Sequence, residues 1–269
     1  MKHTHLFDSP GPRGLRLIRM ATAVWVAVLL LIVAYVVWRL DARGQLAPGK
    51  WLPFVTNVKL LKFLGEGLLQ TLSASSVALV FSLLLGIVLA VGRALGHRLL
   101  SLAIAAYVQV FRGIPVLLNM LFLFLGVPLV LRLNISAYSV VVIALVLYNS
   151  AVIAEIVRAG IAALPSGQRS ASLALGFSEF QTLKYILVPQ AVRLMIPALV
   201  SQFIIIIKDS ALGFIVGFHE LTAKAQNAAL QLSNPLQTYI VIGIVYVAIN
   251  LLVAHISNWI ANRKTNTAG

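Results

Sequence analysis

Apolar runs long enough to cross a membrane recur along this chain, separated by short polar stretches. A helix needs roughly 20 apolar residues to cross a bilayer core of about 30 Å. Runs of that kind occupy 21–38, 68–91, 99–125, 137–157, 190–207 and 238–260. Backbone groups in hydrocarbon must be satisfied within the segment, so each run is expected as a helix. The expected fold is all-α and polytopic, with about six transmembrane helices. Composition settles the alternatives. Charged residues make up 10% and hydrophobic residues 60%, against about 25% and 45–50% in soluble domains. A soluble globular domain and a disordered chain are both excluded.

The net charge of +14 does not point to nucleic acid, because the basic residues flank the apolar runs. With both termini in the cytoplasm, the inner set is Lys2, Arg13, Arg16, Arg19, Arg93, Arg98, Arg158, Arg169, Lys184, Arg193, Arg263 and Lys264. The outer set is Arg39, Arg43, Lys50, Lys59, Lys62 and Arg132, with at most Lys208 and Lys224 added. The positive-inside bias therefore favours cytoplasmic termini. The first run is too long for a signal-peptide core and ends in no small-residue cleavage site, so it is expected to stay as a membrane helix. Pro10, Gly11 and Pro12 should keep residues 1–20 from being helical throughout. Gly113 and Pro115 should kink or break the third span.

Enzyme chemistry finds no foothold. Cysteine is absent, which excludes thiolate metal sites and a cysteine nucleophile. The acids and histidines do not cluster in the chain, so no metal site is expected. No zinc helix, nucleophile elbow or phosphate-binding loop occurs. His219 beside Glu220 reads as an ordinary loop pair. Gly92–Gly96 and Gly213–Gly217 have a spacing that lets helices approach closely.

One polar stretch differs from the other loops. Leu164-Pro165-Ser166-Gly167-Gln168 leads into Arg169-Ser170-Ala171-Ser172-Leu173-Ala174-Leu175-Gly176-Phe177. Its polar and apolar residues alternate at helical spacing, and Gly176 should end the first helix. Ser178 is a plausible N-cap, and Gln181 three residues on completes a capping-box pattern. A short helix, a glycine joint and a second helix across the membrane face would suit docking into a partner's groove.

This stretch resembles the cytoplasmic signature of the membrane subunit of bacterial ABC importers for polar amino acids. That signature resembles G-Q-x-E-A-A-x-A-L-G followed by L-P-Q-A. Here it reads Gly167-Gln168-Arg169-Ser170-Ala171-Ser172-Leu173-Ala174-Leu175-Gly176, then Val188-Pro189-Gln190-Ala191. Ser170 stands for the usual Glu and Ser172 for the second Ala. Phe111-Arg112-Gly113-Ile114-Pro115, Glu155 through Ile161, Lys208-Asp209-Ser210 and Glu220-Leu221 are further family-like marks at family-like spacing. The resemblance spans about 64–258. The opening Leu6 to Arg13 also looks like members assigned to glutamate or glutamine uptake.

The resemblance implies a type I ABC importer permease fold in the bacterial inner membrane. It implies no catalytic residue and no cofactor on this chain, with ATP and Mg held by a separate ATPase dimer. Further partners would be a second permease subunit, identical or paralogous, and an extracytoplasmic amino-acid-binding protein. Coupling to the ATPase would fall to Gln168, Ser170, Ala171, Ser172, Leu175, Gly176 and Phe177. The implied organisation is a cytoplasmic tail (1–20), a first transmembrane helix with outer loop (21–63), a permease domain (64–260) holding the coupling loop (164–187), and a C-terminal tail (261–269).

Candidates for the substrate path are Arg112, Asn119, Tyr148, Asn149, Glu155, Lys208 and Asp209. Ionisable residues at membrane depth are functional hypotheses by default. For Arg112 the favoured reading is a structural pairing with Glu155, and for Asn149 an interhelical hydrogen bond. Lys208 and Asp209 would wall a gate or form an ion pair. An ion-coupled secondary amino-acid transporter is the competing reading, with broken helices in its favour but no internal repeat.

Overall fold

A computed structural model describes residues 11–95 and 98–265, with side chains to residue 256. The described residues form helices and connecting turns, with no strand among them. The chain divides into two compact units at Thr56–Asn57.

The first unit is built on α1 (Pro12–Ala42), followed by the single turns α2 (Pro48–Trp51) and α3 (Pro53–Thr56). Of the N-terminal tail, residues 1–10 lie outside the described residues, and the helix begins at Pro12. Pro12 takes the first helical position, where a missing N–H costs nothing, so Arg13, Arg16 and Arg19 lie on the helix. None of α1 is buried, and its apolar side chains stand exposed on all sides, as on a helix that faces lipid.

The second unit opens with α4 (Val58–Ala94), capped by Asn57, whose side chain accepts from the Leu60 N–H at 3.1 Å. Next come α5 (Arg98–Gly113) and α6 (Val116–Leu131). The expected third span is in fact these two helices, bent by 99° at the break. Pro115 is extended (φ −53°, ψ 137°), and a residue preceding proline is steered away from helix. Then follow α7 (Ala137–Ala162), α8 (Ser166–Ala174) and α9 (Glu179–Thr182). A π-helix (Leu183–Leu187) joins α9 to α10 (Val188–Ser210), and a 3₁₀ turn covers Ala211–Val216. Last are α11 (Leu221–Leu232) and α12 (Pro235–Thr265). Among the described residues, five helical stretches are long and apolar enough to cross a membrane, six if α5 and α6 count as one.

The α7 helix is the centre, the most buried of the spans. The α4 helix packs along it with a stripe of small residues: Ala74, Ala78, Ser82, Gly86 and Ala90. Small residues let the backbones close in, which is how helices pack where lipid offers no hydrophobic drive. A Cβ on Gly86 would lie 2.7 Å from Ile153 Cγ2 and 3.0 Å from the Ser150 carbonyl. The cluster around Val140, Val141, Ala144 and Leu145 collects Met120 from α6 and Ile206 from α10.

Gly213 and Gly217 do not form a helix-contact face. Gly213 sits tightly against Val141 and Phe218, and Gly217 turns the chain at φ +80° after the 3₁₀ segment. Of the other glycine pair, Gly96 lies outside the described residues.

Candidate functional site

The elbow joins α8 to α10. Gly176 lies at φ +85°, a conformation open to glycine without a Cβ penalty. Its N–H bonds the Leu173 carbonyl at 3.0 Å, and the Phe177 N–H bonds the Ser172 carbonyl at 3.1 Å. These two bonds are a Schellman motif and satisfy carbonyls at the end of α8. Ser178 then caps α9. Its hydroxyl accepts from the Gln181 N–H at 3.2 Å, and its own N–H donates to Gln181 Oε1 at 2.8 Å. The capping box read from the sequence is present.

The second helix is not a separate element across the membrane face. It continues from Glu179 through the π-helix into α10. The Val188 N–H reaches back five residues to Leu183. The reason lies in Pro189: it has no N–H to offer Tyr185, and its ring would crowd that carbonyl in a regular turn. The wider π turn relieves both demands. One continuous helical rod thus runs from Glu179 to Val216.

Three contacts close the elbow. Ser172, 2% exposed, bonds Thr182 Oγ1 at 3.0 Å. Arg169 donates to both Glu179 oxygens, at 2.9 and 3.2 Å. Gln190 Nε2 reaches Gln168 Oε1 at 3.4 Å. Leu175 and Phe177 remain exposed at 78% and 37%, beside exposed Ala171, Ser170 and Gln168. Ser172 therefore faces inward, whereas the other six proposed coupling residues face outward.

The substrate-path candidates scatter. Glu155 does not pair with Arg112. Arg158 donates to it with Nε at 2.8 Å, and Arg93 from the end of α4 approaches within 3.5 Å. Arg112 is exposed on the last turn of α5, so nearer guanidiniums take the carboxylate. Lys208 is exposed, Asp209 is half-buried, and no ion pair joins them. Adjacent residues on a helix point 100° apart, which separates their charges. Tyr148 packs half-buried against the central cluster. Asn119 is buried on α6, and its amide nitrogen has no hydrogen-bond partner among the described residues. Asn149 meets Gln202 of α10: Gln202 Nε2 donates to Asn149 Oδ1 at 2.5 Å, the interhelical bond the sequence suggested.

Sequence reasoning missed Gln202, although a glutamine inside an apolar run is itself a signal. It also missed the role of Glu220. That carboxylate is fully buried and caps α11, accepting from the Thr222 and Ala223 N–H groups at 2.8 Å each. The Tyr246 hydroxyl adds a bond at 3.2 Å, and Thr71 Oγ1 lies 3.4 Å away. Burial pushes the Glu220 carboxyl above its ordinary range, and the cap bonds pull it back in part. His219 beside it is exposed, and no metal-ligating cluster occurs among the described residues.

A family profile described as the inner membrane component of binding-protein-dependent transport systems matches residues 82–266. The chain belongs to this family.

This permease is 38% identical over 216 residues to the glutamate transport system permease protein GluD of Corynebacterium glutamicum, covering 78% of each chain. It is 32% identical to the arginine transport system permease protein ArtQ of Bacillus subtilis, covering 80% of this chain and 99% of that one. Among solved structures it is similar to a chain of an amino acid ABC transporter crystallised with histidines. There the identity is 30% and the TM-score 0.72, with 78% of this chain and 98% of the other covered. The fold is that of a type I ABC importer permease, and the protein is a multi-pass membrane component of such a system.

Proposed function

We propose that this permease forms the translocation path of an ATP-driven importer for polar amino acids, with glutamate or glutamine as cargo. It works beside a second permease subunit. An extracytoplasmic binding protein delivers the amino acid, and a separate ATPase dimer holds ATP and Mg. Both termini lie in the cytoplasm, which places α8 on the ATPase side.

The observation that carries this reading is the elbow. Leu175 and Phe177 stand exposed just past the C-terminus of a short helix whose end is fixed by backbone bonds, and the segment beyond Gly176 is continuous with a span. A push on α8 would therefore move α10 rather than dissipate in a loop. Ala171, Leu175 and Phe177 supply the apolar docking face. Gln168 and Ser170 supply polar contacts, and Gly176 supplies the joint. Ser172 holds the elbow closed from inside. The identity to a glutamate permease supports the substrate class.

Along the path, Asn119, Tyr148 and Asn149 supply polar groups at depth, and Lys208 and Asp209 flank its far end. Arg112 supplies an exposed guanidinium at the break between α5 and α6. The Glu155 pairs tie α4 to α7 near the elbow.

The test is reconstitution. Proteoliposomes that hold this permease, its ATPase and its binding protein should take up tritiated glutamate or glutamine only with ATP inside the ATPase compartment. Uptake by the permease alone, driven by an ion gradient, would overturn the reading.

A further inference from the structure

At the end of the bundle away from α8, a cavity of about 460 Å³ opens between the starts of α4 and α7 and the first turn of α11. Its lining includes Glu66, Gln70, Tyr138, Phe218, His219 and Lys224. Glu66 lies 27 residues along α4 from Arg93, about 40 Å at 1.5 Å per residue. The cavity is therefore a membrane thickness away from the elbow.

Its charges are arranged in an unusual way. The Lys224 side chain is only 13% exposed, against 53% for Glu66. Its ammonium donates to Glu66 Oε2 at 2.7 Å and rests on the Phe63 ring, 4.5 Å from the centroid. An ammonium has three donors, and no other acceptor is bound to Lys224 among the described residues. Glu66 keeps its second oxygen free of hydrogen bonds. Tyr138 and Ser73 share a hydrogen bond at 3.2 Å on the adjacent wall. A largely buried cation with spare donors, beside a carboxylate with a spare acceptor, complements a molecule that carries an ammonium and a carboxylate on one carbon.

We propose that this cavity is a holding site for a free amino acid, and that it reads the α-carboxylate and α-ammonium rather than the side chain. Lys224 binds the α-carboxylate, and the open oxygen of Glu66 binds the α-ammonium. Gln70 and His219, both exposed at the rim, face the amino-acid side chain. The site lies on the delivery side of the permease and receives the cargo before it passes inward. This rests on the polar amino-acid reading given under Proposed function.

The test uses the purified permease–ATPase complex without binding protein. Tritiated glutamate binding is measured by equilibrium dialysis. The competitors are 4-aminobutyrate, which lacks the α-carboxylate, and glutarate, which lacks the α-ammonium. In the wild type each should compete about tenfold more weakly than glutamate. Lys224→Gln should weaken glutamate binding about tenfold and abolish the discrimination against 4-aminobutyrate. Glu66→Gln should abolish the discrimination against glutarate. Lys224→Arg keeps the charge and should bind within about threefold of wild type, which separates recognition from helix packing.

The holding site is overturned if Lys224→Gln keeps wild-type affinity and discrimination. It is also overturned if Lys224→Arg loses binding as fully as Lys224→Gln, or if the wild-type complex binds no glutamate while uptake with binding protein proceeds. If the complete system takes up neither glutamate nor glutamine, the proposed cargo fails first and the holding site falls with it.

Discussion

Ser172 Oγ lies 3.0 Å from Thr182 Oγ1, and the Gly176 turn lies between them in the chain. The two hydroxyls are buried together. They hold α8 against the start of the rod that becomes α10. Ser172, which the resemblance groups with the coupling residues, points inward and ties α8 to that rod.

Ser172→Ala should open this latch. It leaves the buried Thr182 hydroxyl without its partner, which costs about 1–3 kcal/mol. Hydrogen–deuterium exchange should speed up between Gly176 and Gln181. Exchange in the central part of α7 should not change. Equal protection of the elbow in both proteins would show that Arg169–Glu179 and the capping box suffice without the latch.

Gly86→Ala should loosen the contact between α4 and α7. The added methyl group would sit 2.7 Å from Ile153 Cγ2 and 3.0 Å from a backbone carbonyl. Overpacking of this kind costs about 1–3 kcal/mol. Thermal unfolding in detergent, followed by tryptophan fluorescence, should show a lowered midpoint. Ile153→Ala added to Gly86→Ala should restore part of the loss, because the Ser150 carbonyl cannot move away as a side chain can. A Gly86→Ala midpoint equal to wild type would contradict the close approach.

Asn149 and Gln202 should be coupled. In a double-mutant cycle with leucine at both positions, the interaction should be about 0.6 kcal/mol, the usual size for hydrogen bonds between membrane helices. Additive single effects would mean that each amide finds another partner when the first is removed.

The spans were legible because lipid imposes length and apolarity on them. The elbow was legible because its glycine, serine and glutamine each meet a local backbone need. What stayed hidden depended on partners far apart in the chain. Arg112 and Glu155 looked like a pair, but Arg158 is one turn from Glu155 and Arg93 arrives from α4. The α11 helix is not among the apolar runs, since its buried face is mostly alanine: Leu221, Ala225, Ala228 and Ala229. Those positions repeat at helical spacing, so the signal was present but weak. Glu220 looked like a loop acid, and only the fold shows that it closes the N-terminus of that helix. The π-helix followed from Pro189, whose effect on the preceding turn was not drawn from the sequence.

Glu220 predicts the sign of a pH effect. Burial raises its folded pKa above the ordinary 4.5. Folding then favours the protonated form, and the stability this group contributes is full below 4.5 and is lost as pH rises through the folded value. The unfolding midpoint of the wild type should therefore fall as pH is raised from about 4.5 through that range. In Glu220→Gln this part of the slope should vanish. An unchanged slope in the variant would assign the effect to another group.

The central claim is that α8 docks on a separate ATPase through the face that carries Leu175. The chain has no cysteine, so Leu175→Cys provides a single attachment point for a maleimide photocrosslinker on a side chain 78% exposed in the wild type. Irradiation of the complex in membranes should give one main adduct, between this chain and the ATPase subunit. An adduct with lipid alone, in a preparation that still hydrolyses ATP and takes up substrate, would contradict the account.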